Sequence, residues 1–256
     1  MRVHTGLASP AGGSSSEPLP LLPAPLVPVR LGGRRNRFAV EAEYRGEPLL
    51  LHLPNSGRMS ELLRPGAEAL AWLRPAGAAG GRTAGRLVLV RHGERWVGVD
   101  AGLPNRLFAA ALAGGRLEPF AGWRVVRAEP PLGAGRADFL VEGPGGARGV
   151  VETKSCNRVD EGVALFPDAP TARGRRHLEE LAEAVRGGSR AALVWFIQRD
   201  DARLLRPFAG LDPAFAEAAR RAAAAGVELY AWRCRLEPEG VTLLGPVPVE
   251  LPPAAG

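Results

Sequence analysis

The sequence predicts two domains in series, a small all-β barrel followed by an α/β sheet domain, and two observations carry this. Up to Val99, short alternating strands follow one another across Gly-rich turns. Beyond Leu103-Pro104-Asn105, strands and amphipathic helices alternate. The boundaries read from this pattern are a disordered extension over 1–27, a first domain over 28–105, a second over 106–250 and a tail over 251–256.

The extension is rich in Pro, Ser, Ala and Gly, and prolines break up its apolar residues Leu19 to Val27. It therefore reads as disordered and not as a signal peptide. Arg37 to Leu53 alternates as a hairpin, with Phe38, Val40 and Ala42 on one face. Its turn lies near Arg45-Gly46-Glu47, and Leu49 to Leu53 is the return strand. Ala69 to Leu73, Arg86 to Arg91 and Arg95 to Val99 follow as strands, with Gly77 to Gly85 as a flexible loop. About five strands in about eighty residues fit a barrel of the OB type, which favours single-stranded or irregular nucleic acid.

In the second domain, Arg106 to Leu112 is a short helix ended by Gly114-Gly115. Trp123 to Ala128, Ala137 to Glu142 and Gly149 to Lys154 read as strands, the last two joined by a turn at Gly143-Pro144-Gly145-Gly146. Thr171 to Arg186 has helical spacing, with Leu178, Leu181 and Val185 on one side and Thr171 placed to cap it. Ala191 to Gln198 is a buried strand, Asp212 to Ala225 a helix and Val227 to Arg233 a further strand.

Composition narrows the function. No apolar run approaches the ~20 residues that span a bilayer, so no membrane partner is expected. With two cysteines, Cys156 and Cys234, there is no disulfide framework, and the cytoplasm is the expected compartment. The net charge of +6 suits a polyanionic partner. It is unevenly spread: residues 27–105 carry twelve Arg against seven acids, whereas 106–256 carry twenty Lys and Arg against nineteen. One oddity is sharper still. Of the 33 Lys and Arg, Lys154 alone is lysine, as though coding bias had converted every cation that did not need a compact ammonium.

Lys154 has telling neighbours. Glu152 lies two residues away on the same strand, so both side chains project from one face. Asp138 stands on the preceding strand, thirteen intervening residues before Glu152. Asp, then Glu-x-Lys on a hairpin, is the arrangement of metal-dependent PD-(D/E)xK nucleases. Asp138 and Glu152 would supply hard oxygen ligands to Mg²⁺ or Mn²⁺, and Lys154 would orient a water and neutralise phosphate charge. The alternative is an ordinary Glu-Lys pair on a surface strand. Downstream, Arg173, Arg175, Arg176 and His177 fall in the first turns of a helix and could hold a nucleic-acid backbone, or form a solvated basic face. Asp168, between prolines, reads as a turn residue or a further ligand. In the first domain, Asn55, Ser56 and Arg58 sit on a polar loop able to contact phosphate or base, though Pro-Asn-Ser-Gly also makes a plain turn. Cys156 has no nearby His to activate it and reads as packing. The Gly-rich stretches lack a P-loop ending.

Five longer motifs then carry a resemblance: HLPNSGRM from His52, LPNRL from Leu103, RADFLVE from Arg136, VETKS from Val151 and ALFPDAPTARGRRHL from Ala164. In this order, over about Pro28 to Pro248, the chain resembles the sugar fermentation stimulation protein A family. The resemblance implies an N-terminal OB-fold β-barrel and a restriction-endonuclease-like PD-(D/E)xK α/β domain. It also implies DNA binding and a link to the regulation of sugar use, especially maltose metabolism. Asp138, Glu152 and Lys154 match the family's nuclease-like motif. Two positions depart from it: Ala110 and Ala172 stand where members often carry Glu, which favours one metal over two. Three functions stay open on this reading: a metal-dependent nuclease, a DNA-binding regulator that does not cleave, and an RNA-binding or RNA-processing protein. The oligomeric state stays open too, a homodimer included.

Overall fold

A computed structural model describes residues 17–75, 77 and 81–253. Its first domain is built from β1 (Val27–Asn36), β2 (Ala39–Tyr44), β3 (Glu47–His52), β4 (Glu68–Leu73), β5 (Gly85–His92) and β6 (Arg95–Gly98). The first five run in the order β3-β2-β1-β4-β5, and a parallel pairing of β3 with β5 closes them into a barrel. Closure forces the chain close to β4 at Gly85, where a Cβ would lie 2.1 Å from the carbonyl oxygen of Trp72. Val40, Leu51, Leu53, Leu87 and Val97 fill the interior.

The second domain opens with α1 (Leu103–Ala113), followed by β7 (Arg124–Ala128), the small hairpin of β8 (Pro131–Leu132) and β9 (Gly135–Arg136), and β10 (Phe139–Glu142). Next come β11 (Arg148–Cys156), β12 (Val159–Asp160), β13 (Val163–Phe166) and α2 (Ala172–Arg186). The chain continues with β14 (Arg190–Ile197), β15 (Leu204–Pro207), α3 (Pro213–Ala224), β16 (Glu228–Glu237) and β17 (Gly240–Val247). β11, β14 and β16 are parallel, flanked by antiparallel β10 and β7 on one side and β17 on the other. One face of this sheet packs on Leu178, Leu181 and Phe215 of α2 and α3. The other packs on Leu107, Phe108 and Ala111 of α1. β6 joins the two domains, pairing with β5 and, through Trp96 and Leu236, with β16.

Several expectations change. Residues 1–16 lie outside the described residues, but the following stretch, Glu17 to Leu26, does not behave as a disordered extension. Leu19 exchanges hydrogen bonds of 2.8 and 2.9 Å with Val241, and Leu21, Leu22 and Leu26 pack on the α1-side core. Its prolines forbid a helix but leave the leucines free to dock. Phe38 does not share a buried face with Val40 and Ala42. β2 begins after it, two register shifts interrupt the partner strand β1, and the ring is 48% exposed. β1 itself went unread because Pro28 and Gly32-Gly33 mask its alternation. Part of the Gly77 to Gly85 loop (78–80) lies outside the described residues, as do 254–256 of the tail, whereas Leu251 is buried in the core.

Candidate active site

The site forms where β10 and β11 meet at the mouth of the second domain. Residues of β11 alternate between the two cores: Val150 and Cys156 belong to the α2–α3 side, Val151 to the α1 side. Glu152 and Lys154 share the parity of Val150 and so face α2. There Glu152 Oε1 accepts hydrogen bonds from Lys154 Nζ and His177 Nδ1, its second oxygen taking neither. His177 is buried on α2, and its Nε2 accepts from Arg173 Nε at 3.2 Å. With Nε2 accepting, the ring proton sits on Nδ1 and is aimed at Glu152. Burial alone would push the Glu152 carboxyl up. The His177 hydrogen bond and the Lys154 charge outweigh it and hold the group below the usual carboxylate range.

Asp138 immediately precedes β10, one residue before the Phe139–Val151 pair, which sets it beside Glu152 in the register. Its carboxylate is fastened from the α1 side. Oδ1 accepts from Asn105 Nδ2 at 2.9 Å, and Oδ2 accepts from the Thr153 backbone N–H at 2.7 Å and the Thr153 hydroxyl at 3.0 Å. Thr153 Oγ1 also lies 2.7 Å from Asn105 Oδ1. Sequence reasoning had Asn105 only inside a motif and Thr153 only as the middle of Glu-x-Lys. The signal available was the recurrence of Leu-Pro-Asn at Leu53 and Leu103, Asn55 holding a turn and Asn105, on α1, holding Asp138.

Of the basic helix residues, α2 brings Arg173 and His177 to Glu152. Arg175 and Arg176 instead line a cleft between α2 and α3, together with Glu217 and Arg221. Asn55 Oδ1 accepts from Gly57 N at 2.8 Å, so its side chain shapes the turn, while Ser56 and Arg58 are exposed. This loop touches the second domain: a Cβ on Gly57 would fall 2.1 Å from Asp168 Oδ2, so only glycine lets the two segments meet. Burial holds the Asp168 carboxyl above its ordinary range. One further acid escaped the sequence reading. Glu180, three residues along α2 from His177, is buried with neither oxygen hydrogen-bonded, and Arg176 Nε is 3.6 Å away. Ala172 opens α2 and Ala110 lies within α1. Cys156 and Cys234 are both free and buried, and burial raises the Cys156 thiol to about 12, consistent with packing.

Comparison with known proteins agrees with this architecture. Residues 33–99 match the family model described as the SfsA N-terminal OB domain, and residues 102–240 match the sugar fermentation stimulation protein RE domain. The sugar fermentation stimulation protein homolog of Moorella thermoacetica is 50% identical over 231 residues, spanning 90% of this chain and 99% of the relative. That of Symbiobacterium thermophilum is 45% identical over 244 residues, spanning 89% and 97%. The structure of Pyrococcus furiosus SfsA in complex with Ca²⁺ superposes with a TM-score of 0.83 at 29% identity, covering 91% of this chain and 99% of that one. An OB barrel joined to a restriction-endonuclease-like domain, with both family models matched in order, makes the chain a member of the sugar fermentation stimulation protein family.

Proposed function

We propose that the chain binds nucleic acid, DNA foremost, and that its second domain is a phosphodiesterase centre working with one Mg²⁺ or Mn²⁺. The observation that carries this is the placement of Asp138, just before β10, at the register position beside Glu152 of β11, with Lys154, the chain's only lysine, hydrogen-bonded to Glu152. The donor set fits such an ion. Asp138, held from the α1 side, and Glu152, facing α2, stand at paired register positions of neighbouring segments and offer hard oxygen donors. That suits a hard cation that keeps several waters and takes phosphate oxygens as ligands. The Ca²⁺ of the Pyrococcus furiosus relative supports a divalent cation in this fold.

When bound, the cation would stabilise charge on the phosphoryl oxygens and acidify a water. The rest falls to the chain. Asn105 and Thr153 fix the Asp138 carboxylate from the α1 side. His177, braced by Arg173, keeps Glu152 charged despite burial. Lys154 holds a phosphate oxygen and orients the attacking water. The test is to incubate the full chain with single-stranded DNA, duplex DNA and RNA in Mg²⁺, Mn²⁺ or EDTA. Cation-dependent cleavage that falls about 100-fold or more in Lys154→Ala and Glu152→Gln is expected. Cleavage unchanged in both variants would overturn the assignment.

A second reading is favoured by one observation: Glu152 already receives hydrogen bonds from Lys154 and His177 on one oxygen. If that closed arrangement is the working one, the chain is a DNA-binding regulator of sugar metabolism that keeps the nuclease fold without cleaving. Metal-independent, salt-sensitive binding with no cleavage of any substrate would establish it.

A further inference from the structure

We infer that Phe38 is a base-stacking residue, the centre of a rigid platform on the barrel that selects single-stranded nucleic acid for the second domain. The inference rests on the nucleic-acid reading above and adds the strandedness of the substrate. Phe38 and Val126 are the exposed large apolar side chains among the described residues, and Phe38 is the aromatic one, at 48% exposure. An aromatic ring left in water forgoes burial energy that a residue of this size normally collects. This one is held in place. Its N–H donates to Asn36 Oδ1 at 2.9 Å, and its carbonyl accepts from Leu53 N at 2.8 Å.

Around it, Arg34 works as a clamp. Its guanidinium donates to the carbonyls of Asn36 and Arg37 on one side and of Gly57 and Arg58 on the other. The β1–β2 turn, with exposed Arg37 and Phe38, and the 55–58 loop, with exposed Ser56 and Arg58, are thereby tied into one body. Arg37 lies over Phe38 with its guanidinium carbon 5.4 Å from the ring centroid. A ring backed by a guanidinium accepts the face of an unpaired base on its free side, while the exposed arginines of the same body take its phosphates. Bases inside a duplex are already stacked on one another and do not present that face. The platform also adjoins the second domain. Gly57 abuts Asp168, which leads to Thr171 and the start of α2, where Arg173 and His177 reach Glu152.

The test is fluorescence anisotropy of the full chain with fluorescein-labelled oligodeoxythymidylate, oligouridylate and a duplex of equal length, all in EDTA so that cleavage does not enter. Phe38→Ala should weaken both single strands by about 5- to 100-fold, because stacking one base contributes that much, and should leave duplex binding within about two-fold. Phe38→Trp should restore single-strand affinity and Phe38→Leu should not. Wild-type affinity in Phe38→Ala or Phe38→Leu, or equal losses on single strand and duplex, overturns the inference and leaves the cleavage reading standing. Phe38-dependent binding by a chain that never cleaves overturns only the catalytic part of the function. No binding of any probe by the wild type overturns both.

Discussion

Glu152 is buried, and its charge depends on donors placed by other parts of the chain. Removing one donor should therefore be costly. His177→Ala is expected to lower stability by about 1–3 kcal/mol, read by urea unfolding, because a buried carboxylate loses its hydrogen bond. Asn105 acts on the other carboxylate without belonging to the ligand pair. Asn105→Ala is expected to weaken Mn²⁺ binding by about 10- to 100-fold in calorimetric titration while the fold is kept, the usual consequence of freeing a ligand from its support. These residues also mark how far the sequence could be read. Glu152 and Lys154 were visible because strand alternation is local. Asp138 needed only a hairpin. Asn105 and His177 meet their partners across 33 and 25 residues, and no short-range pattern encodes such a meeting.

Among the elements, the two helices on one face of the second sheet, α2 and α3, share one aspartate at their starts. Asp212 Oδ1 caps α3 by accepting from Phe215 N at 2.9 Å, while Oδ2 accepts from Thr171 N at 2.8 Å. Thr171 in turn caps α2 through Gly174 N at 3.0 Å. Thr171→Ala should cost about 1 kcal/mol and Asp212→Ala about 2 kcal/mol, since the latter loses a cap and the tie between helices. Urea unfolding of the two variants side by side checks the order. Thr171 and the helices were legible from capping chemistry and spacing. β12, β13 and β15 were not, because strands of two to four residues carry no periodicity, and β13 pairs β15 across 41 positions, as Val163 does with Leu204. β17 was hidden by Gly245 and Pro246.

At the scale of the whole molecule, the barrel and the second domain are locked together by charge as well as by sheet. Arg95 of β6 reaches Asp200 at 2.9 Å, Arg235 reaches the same carboxylate at 3.3 Å, and Arg199 grips Asp201 at 2.6 Å. Burial pushes both carboxyls up, but these hydrogen bonds prevail and hold both below the ordinary range. A carboxyl lowered by folding stabilises the native state fully above its unfolded value, near ~3.9, and loses that contribution as pH falls through the lowered one. The melting temperature should therefore fall steeply below about pH 4, and Arg95→Ala should flatten that slope. The domain order and the excess of positive charge in the first domain were evident from the sequence. The junction was not, because Trp96 and Leu236 lie far apart in the chain.

The double pairing of β6 has a consequence for how this molecule can change. A barrel strand that also edges the second domain's sheet makes one cooperative unit of the two, and calorimetry should record a single transition. Cut free, the barrel would leave the outer edge of β6 without its contact to β16. The barrel is thus no exchangeable adaptor. New substrates are more readily reached by rewriting its loops, since replacing the barrel would also remove the strand that bridges to β16.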